Sequence, residues 1–193
     1  YKVMGLAGFG KPKFYNQIKK LIKYDNNKLK LDLNFFSHHN QPHPNNWKND
    51  VPKFDKLYSV KMNELLHQER QKNDQISQDH MDIASSLQKV FEEIYFQMIL
   101  DNCNQYPNIE NLCLSGGCAL NSLANGKLKK IKKKNIFIQP NAGDAGGAMG
   151  AALFLANKLS KNKNKNKTKI FFDPFLGPSF SSKEVQTALN KYD

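Results

Sequence analysis

The residues best suited to chemistry sit in two glycine-rich turns. Ser115-Gly116-Gly117 follows the run Asn111-Leu112-Cys113-Leu114, and Ala142-Gly143-Asp144-Ala145-Gly146-Gly147 follows Asn135-Ile136-Phe137-Ile138-Gln139. Each turn leads into a segment with helical composition. A glycine turn entering a helix lets the backbone approach a phosphate, and the first helical N–H groups supply partial positive charge there. The alternative role for such glycines is close packing of strand against helix. Asp144 likewise suits two roles. As an N-cap its carboxylate accepts a backbone N–H; as a ligand it suits a divalent cation held on a strand-end loop. Two such loops on successive units point to one shared nucleotide–metal site.

Other candidates are weaker. His39 and His43 are four apart, but an HxxxH pair presents both rings together only on a helix. Pro42 and Pro44 argue against that helix, so His38, His39 and His43 are not expected to bind metal. His67 and His80 lack ligand-spaced partners. No GxSxG, HExxH or GxxxxGK[ST] pattern occurs, which leaves hydrolase, zincin and P-loop readings without support. Cys103, Cys113 and Cys118 show no metal spacing, and Cys113 is expected to be a small core residue.

The elements that must position the two turns follow from hydrophobic spacing. Asn111 to Ser115 reads as a buried strand, Ala119 to Lys130 as a helix, Asn135 to Gln139 as a second strand, and Ala145 to Lys158 as a second helix. Strand, turn, helix repeated is an α/β pattern, and ligands in such folds bind where loops leave the strand ends. Upstream, Ser77 or Asp79 caps a long helix to about Asn102. Its apolar face is Ile83, Ala84, Leu87, Phe91, Ile94, Tyr95 and Met98. Phe14 to Tyr24 is expected as a helix, Leu29 to Leu33 as a short strand, residues 34–56 as mostly loop, and Ser59 to Gln78 as a short loose-ended helix. Residues 160–169 form a Lys/Asn run, a solvated low-complexity linker. Beyond it, Ser181 and Glu184 form a capping box for a helix reaching about Asn190.

Composition limits the function classes. The chain has 193 residues, 39% hydrophobic and 24% charged, enough apolar material for a core and incompatible with wholesale disorder or collagen. The formal charge of +12 invites a nucleic-acid reading. Yet all but one of the 29 basic residues are lysine, Arg70 being the exception. Phosphate-gripping and base-reading proteins draw on the planar fork of arginine. A surface solvated by lysine is therefore expected, with no specific nucleic-acid partner. No stretch is long and apolar enough to span a membrane, and a cytoplasmic protein is expected. The opening Tyr1-Lys2-Val3-Met4 reads as the middle of a folded protein, so the chain is expected to be an internal fragment.

These motifs together resemble a known family. LCLSGGCALNSLANGKL and IFIQPNAGDAGGAMGAAL are similar to the carbamoyltransferases that act on nodulation factors, cephamycins and tobramycin-type antibiotics. YKVMGLAGFGKP resembles the family's YKVMGLAPYG segment, HMDIASSLQKVFEE its DIAASLQ helix, and FLGPSFSSKEVQTAL the segment that begins its C-terminal domain. Gly8 and Phe9 stand where the family has Pro and Tyr, and Cys118 where it has Val.

The resemblance implies the later part of an actin-like ATPase (ASKHA, ribonuclease-H-like) fold. Residues 1–159 would belong to the carbamoyltransferase N-terminal domain, 160–169 to the linker, and 170–193 to the start of the C-terminal domain. It implies carbamoyl phosphate and ATP as substrates, a carbamoyl-adenylate formed with loss of pyrophosphate, and a hydroxyl-bearing small molecule or saccharide as acceptor. Gly116, Gly117 and Asn121 then fall in the nucleotide-binding SGGxALN motif, and Gly146 and Gly147 in a second nucleotide-facing loop. Lys2 and Gly10 are further nucleotide candidates. Asp144 matches a metal-ligand aspartate that, with a histidine pair expected upstream of Tyr1, holds an iron-type divalent cation, with Mg2+ accompanying the ATP. Relatives with the same core, the threonylcarbamoyl and hydrogenase-maturation transferases, are the alternative enzymes. A non-catalytic basic nucleic-acid binder is the alternative of another class.

Overall fold

The computed structural model describes residues 2–40, 46–49, 51–53, 56–128, 135–159 and 177–192. His43, the 160–169 linker and the residues up to 176 lie outside the described residues. Helices and strands are both present, so the chain is mixed α/β. It divides into two compact units, Tyr1–Cys113 with Asn121–Phe137, and Leu114–Leu120 with Ile138–Asp193.

The first unit opens with the short helices α1 (Lys2–Ala7) and α2 (Tyr15–Leu21). Spacing alone predicts that the second continues to Tyr24; instead it stops at Leu21. Ile22–Asp25 becomes strand β1 and pairs antiparallel with β2 (Lys28–Leu31), placing Ile22 opposite Leu31 and Asp25 opposite Lys28. The cause is the Asn26-Asn27 turn. Both residues take positive φ, 50° and 59°, which is what a tight two-residue hairpin requires and what asparagine tolerates. The expected strand to Leu33 ends at Leu31, because Asp32 caps a 3-10 turn (Leu33–Phe35) by accepting the Asn34 N–H at 3.1 Å. Within 34–56, where loop is expected, β3 (Asn46–Lys48) and β4 (Val51–Lys53) form a second hairpin. Of Ser59–Gln78, only α3 (Val60–Leu65) is an α-helix.

Helix α4 (Gln78–Gln105) is the longest element. Ser77, not Asp79, is its N-cap: the Ser77 hydroxyl accepts from His80 N, and His80 Nδ1 accepts from Ser77 N at 2.9 Å. The buried face also differs from the apolar stripe. Leu87 and Met98 are exposed, whereas Asp82, Ser86, Gln88 and Glu92 are buried beside Val90 and Ile94. Asp82 and Ser86 take these places because the turn between α1 and α2 has backbone donors to satisfy. Lys11 N donates to Asp82 Oδ1 at 2.8 Å, and Phe14 N donates to Ser86 Oγ at 2.9 Å. The apolar core of this unit is Ile18, Leu21, Val90 and Ile94, flanked by side chains such as Phe36, Met62 and Leu66.

Past α4, strands β5 (Asn111–Leu114) and β6 (Asn135–Ile138) pair in a two-stranded sheet. Both run exposed–half-buried in alternation rather than fully buried. Cys113 is exposed, correcting its expected place in the core: with two strands paired, alternate residues of β5 face outward among the described residues. The helix expected over Ala119–Lys130 is broken. A 3-10 turn (Gly117–Leu120) precedes α5 (Ser122–Lys127), whose N-cap is Asn121. The second unit continues from β6 into α6 (Gly146–Leu159) and, further on, α7 (Ser182–Leu189). Helix α7 starts at the expected capping box, with Ser181 N donating to Glu184 Oε2 at 2.8 Å. Among the described residues, no helix is long and apolar enough to cross a membrane.

Candidate functional site

The second unit brings the two glycine turns together. Gly116 N–H donates to the carbonyl oxygen of Ala142 at 2.7 Å, and Ser115 Oγ donates to the same oxygen at 3.2 Å. One carbonyl of the second loop thus receives two donors from the first. Gly116 reaches this position with φ +95°, a conformation side chains disfavour, and its own carbonyl accepts from Ala119 N at 3.0 Å to close the turn. Ala142 is buried at the junction.

The four glycines of the two turns, each expected to meet a nucleotide, separate into distinct roles. Gly116 serves the positive φ. Gly146 serves packing: a Cβ there would lie 2.2 Å from the Asn141 carbonyl oxygen. Gly117 and Gly147 meet neither condition, since a Cβ on either would have no neighbour within 4 Å and neither has positive φ. The N–H groups of Gly146 and Gly147 are used within the loop, donating to Gly143 O and Asp144 O at 3.1 Å each. What Gly147 offers a ligand is therefore room rather than a donor, and Gly117 offers the same room on the first turn.

Asp144 is exposed on the second loop, and its carboxylate makes no hydrogen bond or ion pair among the described residues. No side-chain capping contact ties it to α6, which begins at Gly146. An uncommitted carboxylate fits one ligand position of a cation. Among the described residues, no group of three or more His, Cys, Asp or Glu could complete such a site.

Asn121 belongs to the first unit and is already occupied. Its Oδ1 accepts the N–H of Ala124 at 3.0 Å, capping α5, and also accepts from Gln88 Nε2 at 3.1 Å. Its Nδ2 donates to Gln88 Oε1 at 2.9 Å. Gln88 in turn donates to Glu92 at 3.0 Å, and Glu92 pairs with Lys127 at 2.5 Å. This polar chain fixes α5 against α4. Gly10 lies where α4 passes closest: a Cβ there would sit 2.0 Å from the Met81 carbonyl oxygen, so packing alone requires glycine. Lys2 is exposed at the start of α1.

Sequence reasoning missed Ala142 and Gln88. A backbone carbonyl acceptor leaves no residue-type signature, so Ala142 gave no signal. Gln88 did give one: it is a polar residue on a helix otherwise read for its apolar face, and it meets Asn121.

The site is thus a pair of glycine turns leaving two paired strands, clipped together by one carbonyl, with the Asp144 carboxylate, unpaired among the described residues, on the second. The chain is a mixed α/β protein with this pair of loops at its strand ends. Its sequence matches the family model for the carbamoyltransferase N-terminus over residues 1–153, and the chain belongs to that family. It is 35% identical over 98% of its length to an uncharacterized protein of Synechocystis, covering 29% of that protein. It is 31% identical to the nodulation protein NolNO of Sinorhizobium fredii, over 92% of the chain and 23% of that protein. With the nodulation protein NolO of Bradyrhizobium diazoefficiens it shares 32% identity, over 83% of the chain and 26% of that protein. The chain therefore spans less than a third of the length of these relatives.

Proposed function

We propose that the chain forms the later part of the nucleotide-binding domain of an ATP-dependent O-carbamoyltransferase. The domain has the actin-like ATPase fold, continues to about residue 159, and gives way after a linker to a C-terminal domain beginning near residue 170. The substrates are carbamoyl phosphate, ATP and a hydroxyl-bearing small molecule or saccharide, and the enzyme works in the cytoplasm. Family membership supports carbamoyl transfer as such. The observation that carries the nucleotide reading is the clip between the turns at Ala142, beside two glycines whose lack of a side chain neither backbone nor packing explains.

In this reading, ATP phosphates approach the backbone at Gly117 and Gly147, where any side chain would intrude. Gly116 and Gly146 hold the two turns in shape, while within the first unit Asn121 and Gly10 fix α5 and the α1–α2 turn against α4. Lys2 is a further candidate for a nucleotide contact. Carbamoyl phosphate is cleaved to carbamate with release of inorganic phosphate. The carbamate oxygen displaces pyrophosphate from the ATP α-phosphorus to give carbamoyl-adenylate, and AMP leaves when the carbamoyl group passes to the acceptor oxygen, which loses its proton. Fixed donors and positive charge stabilise such phosphate chemistry without a protein nucleophile. Asp144 supplies one carboxylate to an iron-type divalent cation, with other donors coming from outside these residues. The metal, when bound, offsets negative charge as a Lewis acid.

The test uses the full-length protein with ATP, carbamoyl phosphate and a panel of hydroxylated acceptors. Release of both AMP and pyrophosphate is expected, dependent on carbamoyl phosphate. Release of ADP instead would overturn the adenylate route. Asp144→Asn should keep the metal-free melting temperature while losing bound metal and most transfer. Unchanged metal content and turnover would remove Asp144 from the ligand set.

A further inference from the structure

The clip between the two glycine turns has one donor that depends on residue type. Gly116 N–H, 2.7 Å from the Ala142 carbonyl oxygen, is a backbone group that only proline would remove. The Ser115 hydroxyl, 3.2 Å from the same oxygen, is a side-chain contribution. Ser115 is exposed, so its side chain does not fill the core. All the residues of the clip belong to the second unit.

A carbonyl oxygen has two lone pairs, and the first turn supplies a donor for each. One donor leaves the peptide free to swing about the hydrogen bond, whereas two hold its plane. The peptide held in this way joins Ala142 to Gly143 and begins the second turn. From there Gly146 N–H donates to Gly143 O and Gly147 N–H to Asp144 O, each at 3.1 Å. The orientation of the first peptide thus carries through to Asp144 and Gly147. Leu120, at the end of the first turn, lies beside Gly143, its Cδ1 3.6 Å from where a Cβ there would stand. Gly116 N–H and Leu120 remain when the Ser115 hydroxyl is removed, so its loss loosens the second turn without detaching it.

We infer that Ser115 is a positioning residue of the nucleotide site. Its hydroxyl, acting through the Ala142 carbonyl, sets the second turn against the first, and with it the separation of the open ground at Gly117 from that at Gly147. A triphosphate that spans both turns binds best when that separation is fixed beforehand. The inference rests on the nucleotide reading proposed above.

The test is calorimetric titration of the full-length protein with ATP, comparing the parent with Ser115→Ala, Ser115→Thr and Gly117→Val. Ser115→Ala should keep a melting temperature close to the parent's and bind ATP about three- to tenfold more weakly, the effect of one hydrogen bond. Ser115→Thr restores the hydroxyl and should bind within about twofold of the parent. Parental affinity in Ser115→Ala, or a Ser115→Thr protein as weak as Ser115→Ala, would overturn the inference. So would a Ser115→Ala protein that melts more than about 5 °C below the parent, which would make the serine a structural residue. Gly117→Val tells the two failures apart. If it weakens ATP while Ser115→Ala does not, the positioning role alone is lost. If neither variant changes ATP binding, or the parent binds none, the nucleotide reading falls and the inference with it.

Discussion

Glycine in this chain does three different jobs, and substitution separates them. Gly10 faces the α4 backbone, where an added Cβ would overlap Met81 O at 2.0 Å, and backbone cannot move aside as a side-chain tip can. Gly10→Ala should therefore destabilise by about 1–3 kcal/mol through forced separation of the α1–α2 turn from α4. Gly117→Ala meets open space and no positive φ, and its cost should stay within about 0.5 kcal/mol. Urea denaturation of both variants checks the contrast, and equal losses would contradict it. Asp82 gives a second residue-scale prediction. The Lys13 ammonium at 2.7 Å and the N–H donors of Lys11 and Gln78 lower its carboxyl pKa to about 2. A depressed pKa stabilises the fold above the unfolded value, about 3.9, and that contribution fades as pH falls from there towards 2. The urea midpoint should fall across that window in the parent chain. In Asp82→Asn it should be lower at neutral pH and fall less steeply, and parallel pH profiles would contradict this.

At the scale of elements, the helices and strands around the two turns were legible in the sequence because their periodicity is local. β5, β6, α6, α7 and most of α4 stand close to where hydrophobic spacing puts them. What was illegible depends on partners distant in sequence. The α4 stripe predicted Leu87 and Met98 inside, but the α1–α2 turn calls for acceptors, and Asp82 and Ser86 supply them across more than 70 residues. The end of α2 turned on Asn26-Asn27, a hairpin signal that four apolar residues at helical spacing outweighed in the reading. The glycine turns were legible as motifs, while the clip at Ala142 was not. The Gln88–Asn121 amide pair tests the coupling between elements. In a double-mutant cycle of Gln88→Ala and Asn121→Ala, the two losses should be non-additive by about 1 kcal/mol. Additivity within about 0.3 kcal/mol would mean that α4 does not fix α5 through this pair.

For the molecule as a whole, the charge of +12 and the enzymatic reading are compatible. The charge is spread over lysines, and some of them pair across elements of the first unit, as Lys13 does with Asp82 and Lys127 with Glu92. Such a surface attracts polyanions weakly and without sequence preference. The chain spans less than a third of its relatives, so the proposed nucleotide binding is to be tested on the full-length protein. The most direct measurement is calorimetric titration of that protein with ATP, comparing the parent with Gly117→Val. Open space at Gly117 predicts that the variant folds with a nearly unchanged melting temperature, while its side chain occupies the ground assigned to a phosphate. ATP affinity should then fall by at least about tenfold, or 1.4 kcal/mol. A folded Gly117→Val protein that binds ATP as tightly as the parent would contradict the assignment of the paired turns to a nucleotide.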